Sequence, residues 1–254
     1  MRRISALLIL LCCFGARGGD LQIAEPSTGL AFSAHEIARR GEREMKLFMQ
    51  RTVQADLLGC ALHCTTVENV WATLQPVLRS QRIDESLNLR LVVVRRGDVE
   101  ALSFADGTIV ISEAFITRAK LESAQVAFVL AHEATHVLMQ HERQTLTSML
   151  ALMPSTIKRT PSDLYVELEY RYFSMSEPLS IMFQQVEFEA DEIGMQIAAR
   201  AGFDPEVQLH FMERLSTVDQ ERSMPSTHPA AGQRLRRLRD LLPLARRLYQ
   251  TGLE

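Results

Sequence analysis

The chain has 254 residues, 46% hydrophobic and 23% charged, which is enough apolar material for one sizeable core and too much for a disordered or fibrous protein. A formal net charge of -3 at pH 7 and a pI near 6.2 supply no basic field for a phosphate backbone. The arginines from Arg234 to Arg247 are interleaved with leucines at helical spacing, so no nucleic-acid partner is expected.

In chain order, the first element is an address. Arg2 and Arg3 precede an apolar run, Ile4 to Phe14, followed by the small residues Gly15, Ala16, Gly18 and Gly19. That pattern predicts a signal peptide over 1–19 and export to the periplasm. The run is shorter than the roughly 20 residues a bilayer span needs, so membrane contact is expected only through this segment where it stays uncleaved. Leu11 and Cys12 stand before Cys12 and Cys13 where a lipoprotein signal wants a small residue, so no lipid anchor is expected. Loss of the signal leaves Cys60 and Cys64. Their i,i+4 spacing fits two readings: a disulfide at a helix end or distortion near Gly59, or two partly buried thiols.

The segment 20–66 reads as an N-terminal helical piece and 67–254 as one α+β domain, mostly helical, with a small sheet. Amphipathic periodicity predicts a helix over Ala34 to Leu58 and another over Val67 to Gln81, interrupted by Pro76. Leu89 to Val94 reads as a strand, and Glu100 to Ser112 as two short strands joined at Asp106-Gly107. Leu121 to Leu146 reads as one long helix with Val126, Val129, Leu130, Val137 and Leu138 on its buried side. Met149 to Ser180, with Pro154, Pro161 and Pro178, reads as irregular. The aromatic and methionine residues from Met149 to Gln185 fit a lid, a client-binding surface or a satellite of the core. Helices are predicted over Ile181 to Arg200, from Pro205 onward, and from Ala230 to Leu248.

The chemistry lies in His132-Glu133-Ala134-Thr135-His136, an HExxH pattern. Four residues advance a helix by about 400°, so both histidines leave one face a turn apart and can grip one metal ion. Glu133 beside them is placed to take a proton from a water on that metal. Catalytic zinc takes three protein ligands and leaves one position open. His141 is rejected as the third because, on one continuous helix, it would face the opposite side. Glu187, in Glu187-Phe188-Glu189-Ala190-Asp191, is the better candidate. Asp191, one turn further on the same face, can accept the free ring N–H of a ligand histidine. The expected cofactor is one Zn²⁺ per chain.

HEATH, then EFEADEIGM, Ala-Gly-Phe-Asp-Pro and Ser226-Thr227-His228-Pro229 together resemble the M48 family of zinc metallopeptidases, from about Val67 to Leu238. The resemblance implies a zincin-type fold and hydrolysis of peptide bonds. It assigns His132, His136 and Glu187 as zinc ligands, Glu133 as general base and Asp191 as the carboxylate behind a ligand. His228 matches a late histidine near the active centre, either stabilising the oxyanion or latching the metal, and Arg234 matches an arginine common after the His-Pro pair. The family's hairpin borders the cleft and pairs with substrate backbone, which assigns that role to Glu100, Ala101, Leu102 and Ser103, where the family usually reads Asn-Ala-Phe-Ala. Thr135 also departs from the family's frequent glycine. The implied substrates are unfolded or misassembled envelope proteins, cut by a periplasmic quality-control protease, with the outer-membrane assembly machinery as a partner. The competing expectation is a metal-bearing envelope chaperone whose protease activity is latent.

Overall fold

The computed structural model describes residues 29–81, 87–153, 158–220 and 231–252, without the side chains of 168–177 and 218–220. The signal segment and His228 lie outside the described residues.

Helix α1 spans Ala34–Gln54 and starts at a capping box in which Ser33 and Glu36 satisfy each other's backbone N–H. It ends before the Leu58 expected, and Leu58 instead makes an isolated bridge to Val94. Helix α2 spans Cys64–Ser80 and continues through Pro76. An interior proline costs about 3 kcal/mol. Val67, Val70, Trp71, Leu74 and Leu78 are all buried on this helix, and at about 1.5–3 kcal/mol each they outweigh that cost.

Strands β1 (Arg90–Val94), β2 (Ala101–Ser103) and β3 (Thr108–Ser112) form a sheet in the order β1-β3-β2. β1 runs parallel to β3 and β2 antiparallel to it, with Leu102 opposite Val110. The hairpin turns at Asp106-Gly107 as its sequence predicts, with Gly107 at φ +94°. β3 is buried at every position, and β2 is left as an edge. A short helix that the sequence did not announce, α3 (Glu113–Ala119), follows directly.

The long helix expected over Leu121 to Leu146 is two helices, α4 (Ser123–Leu138) and α5 (His141–Leu152). Between them Gln140 takes the left-handed conformation, φ 53° and ψ 41°, which costs a non-glycine residue about 1–2 kcal/mol. Side chains hold this elbow: Gln144 Nε2 donates to the Met139 carbonyl and Arg143 to Gln140 Oε1, while Arg143 Nε also donates to the Phe32 carbonyl.

The irregular stretch expected over Met149 to Ser180 is also largely helical. Helix α6 runs from Pro161 to Arg200, with Pro161 in the first turn behind a Thr160–Asp163 capping box and Pro178 inside it. Met149, Met153, Leu164 and Leu179 are buried with Phe32, Ile37 and Leu146 in a second apolar cluster, so these residues are core and offer no client surface. Helices α7 (Pro205–Gln220) and α8 (Ala231–Gly252) close the fold. The main core gathers α2, β3, α4, α7 and α8 around Phe128, whose ring meets Phe211 edge-on at 6.4 Å. Among the described residues, no helix is long and apolar enough to cross a membrane.

Candidate metal centre

Helices α4 and α6 pack against each other at the site, and a glycine sets their separation. A Cβ at Gly194 would lie 2.9 Å from the backbone nitrogen of His132 and 3.0 Å from its Cα, so only glycine allows this approach. The Glu187 and Asp191 positions lie two turns and one turn before Gly194 on the same helix, and they are thereby brought level with His132 and His136.

His132 Nε2 lies 3.1 Å from His136 Nε2 and 3.6 Å from Glu187 Oε2, and His136 Nε2 lies 3.5 Å from Glu187 Oε1. Donors at about 2.05 Å from a tetrahedral ion stand roughly 3.3 Å apart, so this triangle has the edge lengths of one face of a zinc coordination shell. The donor set, two imidazoles and one carboxylate on a largely buried floor, also suits zinc. The residues present therefore fit the metal that the HExxH pattern calls for.

Behind His132, Nδ1 meets Asp191 Oδ1 at 3.0 Å. Asp191 is in turn held by Arg234, with Nε 2.6 Å from Oδ2 and NH2 2.7 Å from Oδ1. Burial alone would push the Asp191 carboxyl up, but the arginine's charge and hydrogen bonds outweigh it and hold the pKa below its ordinary value. Burial likewise opposes protonation of His132, yet Asp191, with help from Glu187, raises its pKa. At His136 burial and then the neighbouring His132 push the pKa well down, so that imidazole is neutral and able to ligate.

Glu133 follows His132 on α4, and its Oε2 accepts a hydrogen bond from Ser103 Oγ at 2.9 Å. Ser103 ends β2, so the edge strand and the carboxylate are tied together. Ala101, Leu102 and Ser103 line a cavity of about 720 Å³ that also contains His132, Glu133, His136 and Glu187. Glu100 does not line it. Its carboxylate pairs with Arg118 at 3.1 Å on the surface. Ala34, Ile37 and Ala38 of α1 also line it.

Sequence reasoning missed two residues beside the site, His141 and Glu189. His141 was placed on the far face of a continuous helix, but the elbow at Gln140 swings it back, and its Nδ1 lies 2.9 Å from His136 Nδ1. His141 is not in the donor triangle, so the choice of Glu187 over it stands on different grounds from those that the helix argument gave. Glu189, to which the sequence assigned no role, accepts from His141 Nε2 at 3.2 Å. Cys60 and Cys64 are joined as a disulfide, with Cα atoms 5.5 Å apart.

The family model described as "Peptidase family M48" matches residues 66–242, well over half of the chain. A beta-barrel assembly-enhancing protease of Yersinia pestis is 28% identical over 157 residues, covering 56% of this chain and 32% of its own length. A mitochondrial metalloendopeptidase OMA1 of Schizosaccharomyces pombe is 26% identical over 171 residues, 65% of this chain and 50% of its own. The OMA1 of Saccharomyces cerevisiae is 30% identical over 138 residues, 49% of this chain and 38% of its own. The chain thus spans a third to a half of the length of these relatives. With the family model covering the helices that carry His132, His136 and Glu187, the chain belongs to peptidase family M48, a family of metallopeptidases.

Proposed function

We propose that this chain is a zinc-dependent endopeptidase acting on unfolded or misassembled proteins of the cell envelope. The observation that carries the reading is the donor triangle of His132, His136 and Glu187 beside a glutamate tied to an open strand edge. Zinc held there supplies Lewis acidity, acidifying a water and polarising a peptide carbonyl. The remaining work falls to the chain's own groups. Glu133 takes the proton from the attacking water and delivers it to the leaving amine. Ser103 orients Glu133, and Asp191, fixed by Arg234, keeps the His132 proton on Nδ1 so that Nε2 faces the metal. An extended substrate adds to β2, an edge strand among the described residues, where main-chain hydrogen bonds hold any sequence. Broad specificity for unfolded chains follows from that mode of binding.

The catalytic domain in this reading is 67–254, with α1 of the preceding segment completing the cavity wall. The signal pattern over 1–19 and the Cys60–Cys64 disulfide both support an exported, oxidising location, and we assign the periplasm. The Yersinia relative is named a beta-barrel assembly-enhancing protease, and the partner we propose is the outer-membrane assembly machinery. The test is digestion of casein and of a tightly folded protein by the purified chain, with its zinc content measured. One zinc per chain and cleavage of casein alone are expected. A zinc-free chain, or equal cleavage of both substrates, would overturn the reading.

A further inference from the structure

The two histidines of the donor triangle are supported differently. His132 is backed directly by a carboxylate, Asp191. Among the described residues His136 meets no carboxylate at Nδ1; it meets another imidazole, His141, whose second nitrogen meets Glu189. We propose that His141 and Glu189 form a proton-ordering relay that positions His136 for zinc, a role that rests on the zinc reading above.

The ring geometry leaves one consistent arrangement of protons. His136 points Nε2 at His132 and Glu187, so a ligand there needs a lone pair on Nε2 and its proton on Nδ1. That Nδ1–H donates to His141 Nδ1, which must then be unprotonated and carry its own hydrogen on Nε2. The Nε2–H donates to Glu189 Oε2, since a carboxylate oxygen accepts and cannot donate. Each proton fixes the next. The carboxylate of Glu189, on α6, thus sets the tautomer of a ligand on α4 through a histidine on α5.

Burial and backbone both indicate that the relay is built in. The His141 side chain is only 3% exposed, although histidine is costly to bury without partners, and among the described residues its ring meets His136 and Glu189. It stands at the first position of α5, directly after the left-handed Gln140. Were α4 to continue unbroken, five residues would carry His141 about 140° away from His136 around the helix axis. The strained elbow is what turns the ring back, and strain of this kind gathers at functional sites.

Zinc affinity of the full chain, measured by chelator competition in a Glu133→Gln background that prevents self-digestion, tests the relay without any activity reading. His141→Leu, which keeps volume and removes the acceptor, should weaken zinc binding by about 10- to 100-fold. His141→Asn, whose Oδ1 falls near the position of Nδ1, should restore most of the affinity, and Glu189→Ala should weaken it by less than His141→Leu. In the zinc-free protein, nitrogen NMR of the rings should show His136 protonated on Nδ1 in the parent and on Nε2 in a substantial fraction of His141→Leu molecules. A purely structural His141 would lower the melting temperature and leave zinc affinity and the His136 tautomer unchanged, and that result overturns the relay. Should His141→Leu fail to fold, unchanged affinity in Glu189→Ala or no affinity in His141→Asn overturns it equally. A parent that takes up no zinc would refute the proposed function, whereas the tautomer of zinc-free His136 still decides the relay.

Discussion

Replacing Gly194 by alanine separates the stability of the fold from the geometry of the metal site. Glycine inside a helix is worse than alanine by about 1 kcal/mol, so at an ordinary position of α6 the change would stabilise the chain. Here the new Cβ would lie 2.9 Å from His132 N and 3.0 Å from His132 Cα, both backbone atoms that cannot rotate away. Relief to ordinary contact requires α6 to retreat from α4 by roughly half an ångström, and overpacking of this kind costs about 1–3 kcal/mol. The two terms nearly offset, leaving a net loss of about 0–2 kcal/mol. A zinc site tolerates only about 0.2 Å in its ligand distances, and Glu187 moves with α6 while His132 and His136 stay on α4. Zinc affinity should therefore fall at least about tenfold while the melting temperature of the metal-free protein falls by no more than about 8 °C. Chelator competition and thermal denaturation on the same preparation read the two quantities. Unchanged zinc affinity in Gly194→Ala would refute the argument that this contact sets the site.

Arg234→Met takes the arginine from the Asp191 carboxylate, which is 1% exposed and keeps only its contact with His132. Breaking such a pair costs about 3–5 kcal/mol, and at 2–4 °C per kcal/mol the metal-free protein should melt about 6–20 °C lower. A shift within about 2 °C would mean that the pair is not coupled to the fold. Glu113 accepts from the backbone N–H groups of Ala61, Leu62 and His63 at the start of α2. Burial pushes its pKa up, but these hydrogen bonds prevail and lower it below the ordinary 4.5. The stability it supplies is thus fully present above that value and lost as pH falls through the lower folded value. Glu113→Gln should cost about 1–3 kcal/mol in urea denaturation at pH 7, with the gap closing in strong acid. A gap that did not change with pH would show that the charge is not what binds the loop.

The parts of the site that obey a helical period were legible in the sequence. His132 and His136, and Glu187 and Asp191, each sit four apart, and the structure brings both pairs to one centre because a face is fixed by spacing alone. Arg234 had no such period to reveal it and was found only through the resemblance around the His-Pro pair. The elbow at Gln140 left no signal, since neither glycine, proline nor asparagine marks it and its support comes from Arg143, Gln144 and the distant Phe32. That is why His141 was turned away from the site. Proline misled twice, at Pro76 and Pro178; at Pro76 the breaker rule weighs a lost hydrogen bond but not the apolar face buried on the same helix. Ser103 was read as substrate strand, and its bond to Glu133 arises from the packing of β2 against α4, which no local pattern encodes.

The central claim, that Glu133 is the base of a metal-dependent peptidase, is tested most directly by casein digestion with Glu133→Gln beside the unaltered chain. The variant should keep its zinc and its fold yet lose turnover, and chelation should silence the unaltered chain until zinc is returned. Cleavage by Glu133→Gln at the unaltered rate, or cleavage that persists after the metal is removed, would contradict the account.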